Sequence, residues 1–247
     1  SDIKKVAEEE GVILVHGGGK EVTKVTEQLG KEPKFVVSPS GIKSRYTDKE
    51  TSEIFTMVMS GRINKTIVQM LQKNGINAIG LSGMDGKTIE ANRKKKLMIM
   101  NEKGRKQMID GGYTGKISNV NSDLIKTIMD KGYTPVISPI AISEESEFLN
   151  VDGDRAAANV AGHVKSDKVL FITNVDGLLM EDKVVEKLSL EEAKEIMPKI
   201  GFGMEKKILA ATEALEMGVT EALIANGQKE NPISAAIKHD NCTVITK

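Results

Sequence analysis

The chain has 247 residues, of which 39% are hydrophobic and 28% are charged, a composition typical of globular domains. Its 35 basic and 35 acidic residues cancel, so overall charge favours neither a nucleic acid nor a membrane surface as a partner. The single cysteine, Cys242, excludes an intrachain disulfide, and no apolar run approaches the ~20 residues that a membrane-spanning helix needs. We expect a cytoplasmic protein with one domain over residues 1–247.

The first residues of the chain are amphipathic. A helix predicted over residues 1–11 places Ile3 and Val6 on one side and leads into a strand predicted over residues 12–16. A parallel sheet normally has a strand before such a helix. We therefore expect a further strand upstream of Ser1.

Three consecutive glycines, Gly17, Gly18 and Gly19, separate that strand from a helix predicted over residues 20–29. Glycines let backbone amides approach an anion closely, and a helix N-terminus adds positive potential. The turn therefore suits a phosphate or carboxylate, although it lacks the spacing of the dinucleotide and P-loop fingerprints. His16, at the end of the strand, is either a ligand or, as we favour, a partner in hydrogen bonds within the turn.

A short strand and a loop of small residues surround Arg45. A loop arginine is either solvated or free to grip a carboxylate at two points. Thr47 or Asp48 then caps a helical region predicted to reach Asn74, with a break near Gly61. The broad apolar face of this region is mostly core, and an exposed part of it would provide a dimer contact.

The stretch from residue 88 to residue 110 alternates around Gly104 and is predicted to form one antiparallel hairpin. It is either a solvated edge protected by lysines or a docking surface for an acidic macromolecule. Aromatic residues are scarce there, which argues against stacking on single-stranded nucleic acid. Its positive side chains are Arg93, Lys94, Lys95, Lys96, Lys103, Arg105 and Lys106.

The stretch Phe148–Gly162 is the centre of the predicted fold. It follows a buried strand within residues 134–142 and offers Asn150, Asp152 and Asp154 in alternation before a helix of small residues. Alternate side chains of an extended turn point the same way, and open α/β sheets bind ligands at the carboxyl ends of their strands. The alternative is a capped helix start with solvated acids.

The remaining residues continue the alternation. A strand predicted over residues 166–173 precedes a loop rich in Asn, Asp and Gly, and a later glycine-flanked segment introduces a helix with Lys206 and Lys207 in its first turn. Lysines are disfavoured by the helix dipole at that end, so the pair indicates an anionic ligand. The whole pattern predicts an α/β fold, a three-layer α/β/α sandwich around a mainly parallel sheet.

The motifs GGG, SRYT, NVDGD, TNVDGLL and GMEKKILAA, in this order, resemble the amino acid kinase superfamily in its acetylglutamate kinase branch. GIKSRYT and GGYTGK, with the basic hairpin before the latter, resemble most the kinases that act on carrier-protein-linked 2-aminoadipate or glutamate in lysine and arginine biosynthesis. The resemblance implies that Gly18 and Gly19 donate backbone hydrogen bonds to the acyl substrate. It also implies that Arg45 lies on the α-carboxylate side and Asn150 on the other flank.

The same resemblance implies that Lys207 stabilises the transferring phosphoryl group and that Asp154 orients the lysines. Residues 1–150 would form mainly the acyl-substrate half and residues 151–247 mainly the nucleotide half. The residues expected to border the nucleotide are Asn174, Val175, Asp176, Gly177, Gly203 and Met204.

The family opens with a strand that carries a phosphoryl-binding lysine and a Gly-Gly turn, and nothing before Val12 matches it. Either that segment lies upstream of Ser1, as we favour, or the protein is inactive.

A side-chain carboxylate has a reference pKa of about 4.3 and is already ionised at neutral pH. Its attack on ATP therefore needs no general base, and lysines, glycine amides and Mg²⁺ would reduce the repulsion between the anions. We expect Mg²⁺ to be held mainly by phosphate oxygens, since no metal-spaced carboxylate cluster is evident. The expected partners are a small acidic amino-group carrier protein and a second copy in a homodimer.

Two alternatives remain at this point. A plain N-acetylglutamate kinase would need no basic docking surface. A non-catalytic regulator on the same fold is supported only by the unmatched lysine.

Overall fold

The structure is a computed structural model that describes residues 2–181, 183–201 and 203–247. Several helices begin where the sequence supplies a cap. Asp48 Oδ1 accepts a 2.8 Å hydrogen bond from Thr51 N, and Ser189 and Glu192 form a capping box. The helices are α1 Asp2–Glu9, α2 Gly19–Gln28, α3 Lys49–Thr56, α4 Asn64–Lys73, α5 Ser122–Asp130, α6 Gly153–Val164, α7 Leu190–Ile196, α8 Met204–Glu216 and α9 Pro232–Ile237.

Short strands alternate with these helices along much of the chain. They are β1 Leu14–Val15, β2 Phe35–Val37, β3 Lys43–Arg45, β4 Ala78–Leu81, β5 Ile89–Arg93, β6 Lys96–Met100, β7 Lys106–Asp110, β8 Gly115–Val120, β9 Thr134–Ile137, β10 Ile140–Ile142, β11 Phe148–Asn150, β12 Lys168–Thr173, β13 Leu179–Met180, β14 Lys183–Val184, β15 Lys187–Ser189, β16 Glu221–Asn226 and β17 Cys242–Thr246.

The amino-terminal half is layered around the parallel sheet β1-β9-β4. Successive strand residues face opposite sides, so Ile137 packs with α5 and α6 while its neighbour Val136 packs with Leu71 of α4. A second sheet, β11-β10-β5-β8, is mixed, and its Ile89 and Leu149 join the same core as Ile137.

The carboxyl-terminal half repeats this layering around the sheet β12-β16-β17-β15. Ile224 faces a core formed with α6, α7 and α8, whereas Leu223 faces Ala236 of α9. Both halves thus have helices on the two faces of a sheet, which confirms the predicted α/β/α layering. The parallel pairs are β12 with β16 and β15 with β17, and β16 with β17 is antiparallel.

Helix α6 joins the two halves. Ala156 and Val160 pack in the amino-terminal core, while Ala158 and Ala161 pack in the carboxyl-terminal core beside the alanines of α8. Small side chains let α6 approach both its neighbours closely, because they fill little space between the helix axes. The stretch predicted to be the centre of the fold therefore lies between the two sheets.

The break predicted near Gly61 is wrong. The chain stays helical from α3 to α4 through a π-helical stretch, Met57–Ile63. Gly61 lies within the wider turns of this stretch and does not end the helix.

The hairpin predicted over residues 88–110 is only partly correct. Strands β6 and β7 pair as a hairpin, with Met98 opposite Met108. Strand β5 instead joins β8 and β10, because Ile89 and Ala91 are buried in the amino-terminal core.

Candidate active site

A cleft of about 990 Å³ opens between the glycine turn, strand β3 and the first turns of α6 and α8. It brings together the four residues predicted to bind the acyl substrate, which come from three separate parts of the sequence. Its lining includes Gly18, Gly19, Arg45, Asn150, Asp152 and Lys206.

Arg45 lies on strand β3 and not in an irregular loop, with Phe35 opposite it across the strand pair. One terminal nitrogen, Nη2, donates to Gly19 O at 2.9 Å and to Thr23 Oγ1 at 2.7 Å, and the guanidinium lies 4.9 Å from the Phe35 ring centre. Among the described residues, its buried Nη1 has no hydrogen-bond partner. Burial lowers the pKa of Arg45 from its usual value. An unpaired buried donor in a cleft is suited to an anionic ligand, because the ligand would satisfy it.

Asn150 ends strand β11 and also lines the cleft. Its Nδ2 donates to Thr47 Oγ1 at 3.0 Å. Asp152 caps α6 by accepting from the Asp154 and Arg155 amides at 3.1 and 3.2 Å. Asp152 therefore caps the start of α6 and also lines the cleft. The two interpretations of Phe148–Gly162, a capped helix start and a ligand site, are compatible.

Lys207 and Asp154 form a pair behind the glycine turn. Lys207 Nζ donates to Asp154 Oδ1 at 2.8 Å, and the two side chains are 17% and 27% exposed. The pair lines a second cavity of about 830 Å³ between strands β1 and β12. Gly17 and Asp152 line both cavities, so the predicted acyl cradle and the predicted phosphoryl-binding lysine are adjacent.

Two further cations were not assigned to the cleft from the sequence. Lys206 Nζ donates to Lys43 O at 3.0 Å and lies 3.8 Å from Asp152 Oδ2, which links α8 to β3 across the cleft. Lys94 lines the cleft as well, and burial, with the nearby Arg155 charge, lowers the pKa of Lys94. The turn between β5 and β6 directs Lys94 inward, which alternation in a single hairpin could not indicate.

The residues predicted to border the nucleotide lie elsewhere. Asn174, Val175, Asp176 and Gly177 follow strand β12, and Gly203 and Met204 begin α8. None of these six lines the cleft or, among the residues described, the second cavity. Their role as a nucleotide site stays a prediction.

Two neighbours of Asp176 were not predicted from the sequence. Asn226 Nδ2 donates to Asp176 Oδ1 at 2.7 Å, and Lys229 Nζ lies 3.3 Å from the same oxygen. The hydrogen bond from Asn226, and then that from Lys229, lower the pKa of Asp176. Asn226 ends β16, which lies beside β12, so the rule that ligands gather at carboxyl ends of neighbouring strands would have identified it.

The predicted docking cations separate into three places. Arg93 Nη1 donates to both Glu147 carboxylate oxygens at 3.0 Å, and its guanidinium stacks on Tyr113, while Lys94 faces the cleft. The others are exposed on or beside the β6–β7 hairpin: Lys95, Lys96, Lys103, Arg105 and Lys106.

Within residues 2–181, 183–201 and 203–247, no group of three His, Cys, Asp or Glu side chains is arranged to hold a metal ion. Across the same residues, no helix is long and apolar enough to cross a membrane.

The layered fold and the cleft at its strand ends define an α/β protein with positively charged side chains lining that cleft. The amino acid kinase family matches residues 1–226, and the chain belongs to this family.

The chain is similar to named members of that family. It is 85% identical over 245 residues to a protein of Nitrosopumilus maritimus, covering 99% of this chain and 92% of the relative, which is provisionally named a LysW-aminoadipate/LysW-glutamate kinase. It is 51% identical over 227 residues to the LysW-aminoadipate/LysW-glutamate kinase of Metallosphaera sedula, covering 92% of this chain and 86% of that protein.

Solved structures share the fold. An N-acetylglutamate synthase from Neisseria gonorrhoeae matches with a TM-score of 0.80 and 21% identity over 100% of this chain and 54% of its own. A carbamate kinase from Giardia lamblia bound to AMP-PNP matches with a TM-score of 0.67 and 14% identity over 100% of this chain and 88% of its own.

Proposed function

We propose that the chain is an ATP-dependent kinase that phosphorylates the side-chain carboxylate of 2-aminoadipate or glutamate, or of both, while the amino acid is linked to a small acidic carrier protein. The reaction would give an acyl phosphate for lysine or arginine biosynthesis. Family membership and the name of the Metallosphaera sedula relative support this proposal. The observation that carries it is the Asp154–Lys207 pair directly behind the glycine turn. A cytoplasmic setting is part of the proposal, because the step consumes cellular ATP.

The acyl substrate would lie in the cleft with Arg45 and Asn150 on opposite flanks. Arg45 Nη1, which has no hydrogen-bond partner within the described part of the chain, would donate to the α-carboxylate side of the substrate. The amides of Gly18 and Gly19 would donate to the reacting carboxylate. Such fixed donors require no reorganisation during the reaction, which is why they lower the barrier.

The chemical step needs no proton transfer. One carboxylate oxygen forms a bond to the γ-phosphorus while the bond from that phosphorus to the bridging oxygen breaks, and ADP leaves with the electron pair. Lys207, held by Asp154, would stabilise the negative charge on the transferring group. Since the described residues hold no cluster of three metal ligands, Mg²⁺ would be held mainly by phosphate oxygens, where it would neutralise their charge.

The nucleotide would lie toward the ends of β12 and β16. The polar group of Asp176, Asn226 and Lys229 and the start of α8 at Gly203 and Met204 are the residues we assign to it. Amides at a helix start favour phosphate, because the helix dipole is positive there.

The carrier would dock on the β6–β7 hairpin. Its outer face presents the exposed pair Met98 and Met108, which are 41% and 52% exposed and oppose each other across the strands. Lys96 and Lys106 lie two residues along the strands from this pair, with Asp110 opposite Lys96 and Arg105 just before β7. An apolar centre with mostly positive neighbours suits an acidic protein. Arg93 and Lys94 are outside this docking surface.

A homodimer is part of the same proposal. Met57 and Met70, on the long helical region, are 58% and 59% exposed. Large exposed apolar side chains on one helix favour a protein contact.

The test is a side-by-side kinase assay on carrier-linked 2-aminoadipate, carrier-linked glutamate and free N-acetylglutamate. We expect ATP-dependent acyl phosphate only with the carrier-linked amino acids. Efficient turnover of the free substrate alone would establish a plain N-acetylglutamate kinase, and no turnover of any substrate would favour the non-catalytic regulator.

A further inference from the structure

We infer that Asn64 and His16 are positioning residues for the glycine turn. Asn64 holds His16 in one neutral tautomer, and His16 fixes the Gly17 carbonyl so that the Gly18 N–H faces the acyl substrate. The inference rests on the proposed function, because it explains how a turn proposed to bind that substrate is oriented. His16 and Asn64 are 7% and 0% exposed, so their role is to act through the turn.

The contacts of Asn64 determine which way its amide faces. Lys65 Nζ lies 3.0 Å from Asn64 Oδ1, and a lysine ammonium can only donate, so this atom is the amide oxygen. The amide nitrogen lies 2.9 Å from Val136 O, a carbonyl that can only accept. Both neighbours therefore select the same orientation, and the side-chain nitrogen faces His16.

The orientation of Asn64 in turn assigns the proton on His16. Asn64 Nδ2 is 3.2 Å from His16 Nε2, and because the amide nitrogen donates, Nε2 must be unprotonated. A neutral imidazole then carries its proton on Nδ1, which lies 3.1 Å from Gly17 O and donates to it. Burial lowers the pKa of His16, the bond to Gly17 opposes that shift, and the Lys65 charge adds to it.

The bond to Gly17 O orients the next peptide group. The described peptide bonds include no cis bond, and in a trans peptide the C=O and N–H point in opposite directions. Holding the Gly17 carbonyl on the imidazole therefore turns the Gly18 N–H away from the ring, toward the cleft that Gly18 lines. A side chain at this position would displace Ile63, because a Cβ on Gly18 would overlap Ile63 Cδ1.

The fold builds this arrangement at the end of the π-helical stretch. Asn64 is the first residue of α4, directly after that stretch. On strand β4, Gly80 leaves room for the amide, because a Cβ there would overlap Asn64 Oδ1, and Gly80 O accepts from Lys65 Nζ at 3.2 Å. The network thus connects β4, β9 and α4 to the turn after β1.

The first test is spectroscopic and does not depend on activity. Long-range ¹H–¹⁵N correlation spectra distinguish the protonated from the unprotonated ring nitrogen, and His16→Asn assigns the signal among the three histidines. We expect one neutral tautomer at pH 7.5 with the proton on Nδ1, and we expect Asn64→Ala to give mixed tautomers. A proton on Nε2, or an imidazolium, would overturn the inference.

The second test separates the two ring nitrogens by substitution. In His16→Asn the side-chain amide nitrogen replaces Nδ1 and can still donate to Gly17 O, whereas in His16→Gln it replaces Nε2 and cannot. We expect His16→Gln and Asn64→Ala to lower kcat/KM for the acyl substrate about tenfold, since small misplacements of binding groups reduce rates strongly. The kcat/KM of His16→Asn for the acyl substrate should stay within about twofold of the parent value. The KM for ATP should not change in any of these variants.

The matched control is Ser60→Ala. It removes the 2.9 Å contact of Ser60 Oγ with Ser138 Oγ, made from the same helical stretch without touching His16, and should leave kcat/KM unchanged. If His16→Asn lowers kcat/KM as much as His16→Gln does, the network only stabilises the fold. The same conclusion would follow if Ser60→Ala lowered kcat/KM as much as Asn64→Ala. The expected tautomer in a chain that phosphorylates no tested substrate would overturn the proposed function and not the assignment of His16.

Discussion

Lys207 Nζ donates a 2.8 Å hydrogen bond to Asp154 Oδ1 and so ties the first turn of α8 to the first turn of α6. If Lys207 stabilises the transferring phosphoryl group, Lys207→Ala should lower kcat about 10²-fold or more while the KM for ATP changes little. Steady-state kinetics with carrier-linked substrate would measure both. The matched control is Lys194→Ala, which removes the exposed 2.5 Å pair with Glu216 of α8 and should leave kcat unchanged. A near-normal kcat in Lys207→Ala would exclude the assigned role.

Arg45 is predicted to bind the acyl substrate and not ATP. Arg45→Ala should raise the KM for the acyl substrate, by a factor corresponding to the ~1.5–3 kcal/mol of a charged hydrogen bond, and spare the KM for ATP. Arg45→Lys should not restore the affinity, because an ammonium lacks the two-pronged geometry. Arg62→Ala, which breaks an exposed pair with Glu21, provides the control. An effect on the KM for ATP alone would place Arg45 at the nucleotide.

The β6–β7 hairpin is predicted to recognise the carrier through charge. Reversing Lys96, Lys103, Arg105 and Lys106 to Glu should slow association with the carrier and weaken its salt dependence, since exposed charges are screened beyond about 8 Å at physiological ionic strength. Stopped-flow association rates at several salt concentrations would measure this. Any turnover of free N-acetylglutamate should be unaffected.

The control for that experiment reverses four exposed lysines away from the hairpin, so that the net charge changes equally. If this control slows association as much as the hairpin variant, overall charge and not the hairpin attracts the carrier. Suitable positions are Lys34, Lys49, Lys73 and Lys131.

Asp2 is predicted to stabilise the fold in a pH-dependent way. Its carboxylate accepts from Ile233 N at 2.6 Å and from the amide and hydroxyl of Ser234, which joins α1 to α9. Burial raises the pKa of Asp2, but these hydrogen bonds outweigh it, so the pKa lies below its ordinary value. The stabilisation is therefore present above the unfolded-state pKa of about 3.9 and is lost as the pH falls through the folded-state pKa.

Asp2→Asn should accordingly lower the free energy of unfolding at pH 7 by about 1 kcal/mol, as for other lost caps. Urea denaturation at pH 7 and at pH 3 should show the difference from the parent shrinking at the lower pH. Asp130→Asn, at an exposed aspartate, should change stability little at either pH. A deficit for Asp2→Asn that is constant with pH would mean that the charge of Asp2 contributes nothing.

The features that were predictable from the sequence depend on local pattern. The alternation of strands and helices predicted the layered fold. The capping preference of Thr47 or Asp48 located the start of α3, where Asp48 is the observed cap. The residues predicted for the acyl substrate, such as Arg45 and Asn150, do line one cleft. Those residues were implied by the resemblance of the motifs to the amino acid kinase superfamily, and local pattern alone would not have selected them.

The features that were not predictable depend on pairing between distant residues. Arg45 lies on a strand because β3 pairs with β2, with Arg45 opposite Phe35, and a short stretch of Lys, Ser and Arg does not indicate this. Strand β5 leaves the basic hairpin because its apolar side chains are buried elsewhere. The inward direction of Lys94 follows from that separation.

In the π-helical stretch Met57–Ile63, the number of residues determines the orientation of the α4 side chains more than the identity of those residues does. In an α-helix each residue advances the chain by about 100° around the axis. Inserting one more residue between Met57 and Ile63, where the turn is already wide, would therefore rotate every later side chain of α4 by about that angle relative to α3. Asn64 would leave His16, and Leu71 would leave its core, even if every remaining residue kept its identity. Single-residue insertions should thus be tolerated in the exposed turn around Gly104 and rejected in this helix.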